Sequence, residues 1–301
     1  MKHTGRPRSG RSNENIELVR ADVQAEPKTS TRRRAAQLGL SERTLRRILH
    51  LDLHMYPYKI QTVFKLRPID MQRRLEYAQI VTNLVEVEPN FWQNLIMSDE
   101  ANFCLSGRVN KQNDRFWGSG NPRFIHENVQ FDQKVIVWCA ICSERIIGPF
   151  FFEDARGNAV TVNGERYRTM IREFLQPRLE ELGIENFWFQ QDGATCHTAR
   201  ETVALLRDIF PARLISKNGD VGWPPHSPDL TAPDFFLWGY LKSKVYINRP
   251  QTLEDLKANI REEIGQIPAE ILRKVMLHAQ SRVGHCQASR GGHLLDIVFR
   301  N

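Results

Sequence analysis

Residues 94–107 read NLIMSDEANFCLSG, and residues 133–142 read QKVIVWCAIC. Both are short runs of β-branched, aromatic and other apolar residues bounded by polar turn formers, the signal of strands. The first predicts one strand or two joined strands; the second, with RIIGPFFFE at 145–153 after it, predicts a hairpin. Further on the period changes. GERYRTMIREFLQPRLEEL (164–182) and TARETVALLRDIF (198–210) carry helical spacing, while ENFWFQQDG (185–193) and ARLIS (212–216) again read as strands. Helices are expected over 234–246, 252–264 and 268–281. Strands in a run, then strand and helix in alternation, predict an α/β domain over 91–301: a mixed sheet with flanking helices.

Upstream the character differs. Residues 1–12 are rich in Gly, Ser and Arg and read as a basic arm containing GRPR, with Arg6 and Arg8 as its candidate DNA contacts. Asn13 can cap a helix over 14–25 whose Ile16, Val19 and Val23 share one face. A second short helix follows Ser30, Gly39 breaks it, and Ser41 can cap a third over ERTLRRILH. Helix, glycine turn, helix over 13–55 is the helix-turn-helix pattern, whose last helix enters the major groove. Arg43, Arg46 and Arg47 would occupy its solvent face, facing guanine edges or phosphates. The alternative is a three-helix unit with a solvated basic face. Residues 56–90 read as a linker with one helix near 68–85.

Charge supports this division. The 301 residues carry +7, but residues 1–75 hold 17 Lys or Arg against 7 Asp or Glu, so the excess sits at one end. Such asymmetry favours a nucleic-acid arm joined to a domain with another task. With 41% hydrophobic residues a buried core is expected. No run of 18 apolar residues predicts a membrane span, and MKHTGRPRSGRSNEN lacks the apolar segment of a secretory signal. Five scattered cysteines fit a reducing, intracellular compartment.

Three acids stand out by position. Asp99 follows the apolar LIMS and Asp192 follows FWFQQ, so each is expected at the carboxyl end of a strand, the edge where open sheets gather ligands. Asp234 begins a predicted helix after WPPHSPDLTAP, where helix amides favour an ionised carboxylate. Carboxylates from neighbouring strands suit hard cations such as Mg²⁺ or Mn²⁺. Three of them can hold two ions for in-line displacement at phosphorus.

The blocks SDEANF, VIVWCAICSERIIGPFFFE, FQQDGATCHTA, WPPHSPDLTAPDFFLWGYLKSKVY and RVGHCQASRGGHL resemble, in consistent order, the mariner-type transposases of the DDE/D superfamily. The resemblance implies a ribonuclease H-like catalytic domain behind a helix-turn-helix. It implies two divalent ions held by Asp99, Asp192 and Asp234, with Asp229 of SPDL as the rival for the third place. It also implies cleavage of double-stranded DNA at transposon terminal repeats, strand transfer of the 3′-hydroxyl to a TA target and a homodimeric synaptic complex; a DNA substrate and the basic arm together lead us to expect a nuclear location. Neither a small-molecule substrate nor a membrane is expected. The family pattern has two helix-turn-helix units joined by a GRPR-like linker; this sequence starts near that linker, so an amino-terminal truncation is expected. The other reading is therefore a catalytically idle or domesticated DNA-binding protein.

Two departures are local. The 41 residues between Asp192 and Asp234 exceed the spacing of the best-known mariner branch, and the surplus is assigned to a surface loop, SKNGDVGWPPHS. QQDG also replaces a more familiar QQDN. Other motifs read as ordinary structure: Cys139 and Cys142 as core, Cys196 and His197 as polar lining rather than a nucleophile pair, Trp238 as core.

Overall fold

A computed structural model describes residues 9–27, 29–56, 63–107 and 132–294. Arg6 and Arg8 of the arm lie outside the described residues. The chain divides into two compact units, at residues 1–63 and 64–301.

The first unit is three helices: α1 (Asn13–Ala25), α2 (Thr31–Gln37) and α3 (Glu42–Arg47), the last continuing into a π-helical turn, Ile48–Asp52. Each start is fixed by a serine accepting a backbone N–H: Ser12 from Asn15, Ser30 from Arg33, Ser41 from Thr44. Ser12 rather than Asn13 is the first cap, because its side chain is one turn back from the N–H it must reach. Gly39 sits at φ +64°, the left-handed turn between α2 and α3 that glycine enters without cost. Val19, Ala35, Leu45 and Ile48 form the core, with Ile16, Val23, Leu38 and Leu49 packed on it. The unit is pinned by ion pairs of Arg34 with Asp22 and of Arg11 with Asp52.

The second unit opens with α4 (Pro68–Val87), whose Arg67 and Asp70 close a capping box. The sequence reading put this helix in a linker; Tyr77, Ala78 and Val81 are instead fully buried in the second unit's core. A six-stranded sheet follows, ordered β3-β2-β1-β4-β5-β6. β1 (Leu95–Cys104), β2 (Lys134–Ile141) and β3 (Ile146–Phe151) form an antiparallel meander. β4 (Trp188–Gln190), β5 (Leu214–Ser216) and β6 (Val221–Gly222) add in parallel beyond β1. Between β3 and β4 lie α5 (Gly164–Met170), a π turn (Ile171–Leu175) and α6 (Gln176–Glu181). α7 (Thr195–Thr198) and α8 (Arg200–Ile209) join β4 to β5, and α9 (Trp238–Lys244), α10 (Leu253–Gly265) and α11 (Ala269–Ala288) end the unit.

Each face of the sheet has its own core. Leu95, Met97, Ala101 and Phe103 of β1 face α4, α9, α10 and α11; Ile96 faces α5, α6 and α8. The period of two in a strand is the cause. It also separates Cys139 from Cys142, which lie in opposite cores, so the CxxC cannot chelate. The segment SKNGDVGWPPHS departs from its expected place on the surface. Val221 pairs with Ile215 as β6, and Trp223 is 6% exposed, edge-on to Tyr77. Among the described residues no helix is long and apolar enough to cross a membrane.

Candidate active site

Asp99 does not end its strand. β1 runs on to Cys104, and Asp99 lies across from Cys139 of β2. The parallel pairing with β4, however, stops at Met97 and Gln190. Asp99 and Asp192 each stand two residues past that last pair, at the carboxyl edge of the parallel half. Ser98 Oγ donates to the Gln190 carbonyl at 3.0 Å and holds this edge together. The third acid, Asp234, arrives in a π-helical turn, Pro233–Leu237, that leads into α9.

The three acids sense one another. Burial first, then the charges of Asp234, Glu100 and Asp192, push Asp99 well above the usual carboxylate range, against the hydrogen bond from Trp238. Asp234 keeps a solvent-facing edge, yet desolvation, then the charges of Asp192 and Asp229, push it up to about 7. Burial would raise Asp192 too, but the hydrogen bond and charge of His197 hold it below its ordinary value. Among the described residues no three His, Cys, Asp or Glu side chains close on one point as a ready-made metal cage. The acids nevertheless form a cluster of hard oxygen donors whose mutual repulsion a divalent cation would relieve, and their chemistry fits Mg²⁺ or Mn²⁺.

Asp192 and Asp99 are each tethered. Asp192 Oδ1 accepts from the Ala194 N–H at 2.9 Å and lies 2.6 Å from His197 Nδ1. The other ring nitrogen, Nε2, is 3.1 Å from Glu100 Oε1. His197 is 1% exposed; burial opposes its charged form, but the Tyr167 oxygen and the Glu100 and Asp192 carboxylates outweigh that and hold it well above the usual imidazole range. Trp238 Nε1 donates to Asp99 Oδ2 at 2.7 Å.

Asp229, five residues before Asp234, has another occupation. Its two oxygens take a bidentate pair from the buried Arg74 of α4, at 2.7 Å each. Arg74 also donates to Ser227 Oγ and to the Gly291 carbonyl, both at 2.9 Å. At Gly291, φ is +78° and a Cβ would stand 1.9 Å from the Met71 carbonyl oxygen, so only glycine brings the chain this close to α4. GHCQASRGGH thus ends α11 and closes a clasp behind the acids.

Of these neighbours the sequence reading passed over Glu100, and it gave His197 only as polar lining and Trp238 only as core. Glu100 adjoins Asp99 and so points to the other sheet face. His197 was visible as the histidine of DGATCH, but its placement needs α7 to turn back over β4. In the first unit Arg43, Arg46 and Arg47 share an open cleft with Glu42, His50 and Leu51 on the outer face of α3. Arg46 is paired with Glu42 at 2.5 Å; among the described residues Arg43 and Arg47 have no ion pair.

No family model matches the chain. It is 26% identical over 257 residues to the Tc3 transposase of Caenorhabditis elegans, covering 83% of this chain and 71% of that protein. Among solved structures it is similar to the Mos1 transposase paired-end complex with left transposon end, with TM-score 0.71 and 18% identity over 98% of this chain and 83% of that one. The Mos1 strand transfer complex matches with TM-score 0.69 and 19% identity over 97% and 82%. The Mos1 mariner catalytic domain alone gives 0.58 at 18%, over 77% of this chain and 99% of that one. The chain is thus similar in sequence to the Tc3 transposase and shares the fold of the Mos1 mariner transposase.

Proposed function

We propose that this chain is a divalent-metal-dependent DNA transposase that cuts transposon ends and joins the freed 3′-hydroxyl to target DNA. The observation that carries the reading is the meeting of Asp99, Asp192 and Asp234 at one sheet edge, close enough to shift one another's ionisation, in a fold shared with a transposase. Mos1 has been solved with transposon ends, as a strand transfer complex, with Mn and with Mg, which supports double-stranded DNA as partner and a divalent ion as cofactor.

In this reading Asp99 and Asp192 each present an oxygen to the ions and Asp234 completes the set. Asp229 is left out because Arg74 takes both its oxygens. When bound, two ions would lower the pKa of the attacking water and neutralise charge on the leaving oxygen. The residues' own task is to hold oxygen donors in place at the sheet edge. Water attacks phosphorus in the first step, with the 3′-oxygen leaving as a 3′-hydroxyl; in the second that hydroxyl attacks a target phosphodiester, joining to its phosphorus as the target's own 3′-oxygen leaves and takes up the proton.

The first unit would dock α3 in the major groove, with Arg43 and Arg47 directed at DNA and the GRPR arm, Arg6 and Arg8, reaching an adjacent minor groove. A TA target, a homodimeric synaptic complex and action in the nucleus complete the proposal. Asp192→Ala should abolish Mn²⁺-dependent nicking of supercoiled plasmid while DNA retention in a mobility-shift assay stays near wild type. Undiminished nicking would sink the assignment.

A further inference from the structure

We propose that Trp238 and His197 are positioning residues of the metal centre: each holds one oxygen of a site aspartate by a hydrogen bond and so fixes how that carboxylate is turned toward an ion. The inference rests on the metal reading above and says how the acids are aimed.

On one face of the sheet, Trp238 Nε1 donates to Asp99 Oδ2 at 2.7 Å. An indole N–H is a donor only, so the oxygen it faces is committed as acceptor. The ring cannot swing away, being 6% exposed and edge-on to Phe103 at 6.2 Å. Trp238 also opens α9, four residues after Asp234 in the turn feeding that helix. One rigid segment therefore supplies the third acid and aims the first.

On the opposite face His197 does the same for Asp192. Its Nδ1 lies 2.6 Å from Oδ1, the oxygen that also takes the Ala194 N–H. The imidazole is fixed in turn from three sides. Glu100 Oε1 stands 3.1 Å from Nε2, and the Tyr167 ring lies on it with centroids 4.4 Å apart. The Tyr167 hydroxyl donates to Gln191 Oε1 at 2.9 Å, while Gln191 Nε2 donates to the His197 carbonyl at 2.9 Å. A ring held at both nitrogens and one face has no rotational freedom left. Partners of this kind orient the ligands of metal sites, and losing one costs about 10–100-fold in metal affinity.

The test is Mn²⁺ binding by the full chain without DNA, read from the electron paramagnetic resonance signal of free Mn²⁺, beside the melting temperature in EDTA. Trp238→Phe keeps the ring and deletes the N–H. It should weaken Mn²⁺ binding by about tenfold or more while the metal-free melting temperature moves by a few degrees at most. His197→Leu should weaken binding similarly, and His197→Asn, whose amide can still donate near the Nδ1 position, should recover part of it. Wild-type affinity in Trp238→Phe, or equal affinity in His197→Asn and His197→Leu, would overturn the proposal. So would a loss of affinity matched by a collapse of the metal-free melting temperature in Trp238→Phe, which marks ordinary core packing. Asp192→Asn separates the levels. If wild type binds and only the aspartate variant fails, positioning falls alone; if wild type binds no Mn²⁺, the metal reading falls with it.

Discussion

Asp229 and Asp234 stand five residues apart in SPDLTAPD, and the fold uses them in opposite ways. Asp229 gives both oxygens to Arg74, itself 1% exposed and shared with Ser227 and Gly291. Asp234 has no hydrogen bond or ion pair among the described residues and is pushed up to about 7 by desolvation and by Asp192 and Asp229. One carboxylate is neutralised by the protein; the other has no counter-charge paired with it among the described residues. Charge satisfied within the chain holds the chain together, and charge left unsatisfied at a sheet edge is available for function.

Exchange of Asp234 should show the largest effect. Asp234→Asn keeps the shape and deletes the charge, and nicking in Mn²⁺ should fall by roughly 10³-fold or more. Its melting temperature in EDTA should hold or rise, since a repulsive charge has gone. Nicking within tenfold of wild type would place the third ligand elsewhere.

Asp229→Asn should invert the pattern. Arg74 would keep its charge in a buried site with half its compensation gone, at a cost of about 3–5 kcal/mol, or a melting temperature lower by on the order of 10 °C for a unit of this size. Activity per folded molecule, assayed well below the transition, should stay within about tenfold. Substituting both partners, Arg74→Met with Asp229→Leu, should regain part of the stability, because two apolar groups leave no stranded charge. An Asp229→Asn protein as stable as wild type would break the contrast from the structural side.

Much of this was legible before any coordinates. Short apolar runs marked β1 and β2 as strands, and Ser30 and Ser41 before helical runs marked two helix starts, while the first, expected at Asn13, is capped by Ser12. What stayed hidden depends on register and long-range closure. That Asp99 stands mid-strand follows from β2 outrunning β4 as a partner, which no local pattern records. What sets Asp229 apart from Asp234 is its pair with Arg74, 155 residues away in the chain. Val221 and Gly222 joined the sheet as β6 although SKNGDVGWPPHS read as a surface loop, and the adjoining Trp223 packs edge-on to Tyr77. His197 and Trp238 were read as lining and core, and both are indeed buried; burial was visible in sequence, and the oxygen each faces was not.

The smallest effect sharpens the contrast without any assay of cleavage. A carboxyl whose folded pKa is about 7 against an ordinary 3.8 binds its proton more tightly in the folded chain than in the unfolded one. Across the interval between those values the folded state holds the extra proton, so this group's contribution to stability falls as pH rises and reaches its full penalty above about 7. Asp234→Asn carries no such penalty. Its melting temperature in EDTA should exceed that of wild type by a few degrees at pH 8, and the gap should shrink toward zero as pH falls toward 4. Mn²⁺ at pH 8 should raise wild type and leave Asp234→Asn nearly unmoved, because the ion relieves a repulsion the variant has lost. A gap that does not change with pH would mean that Asp234 is solvated like any surface acid, and the distinction from Asp229 would then rest on Arg74 alone.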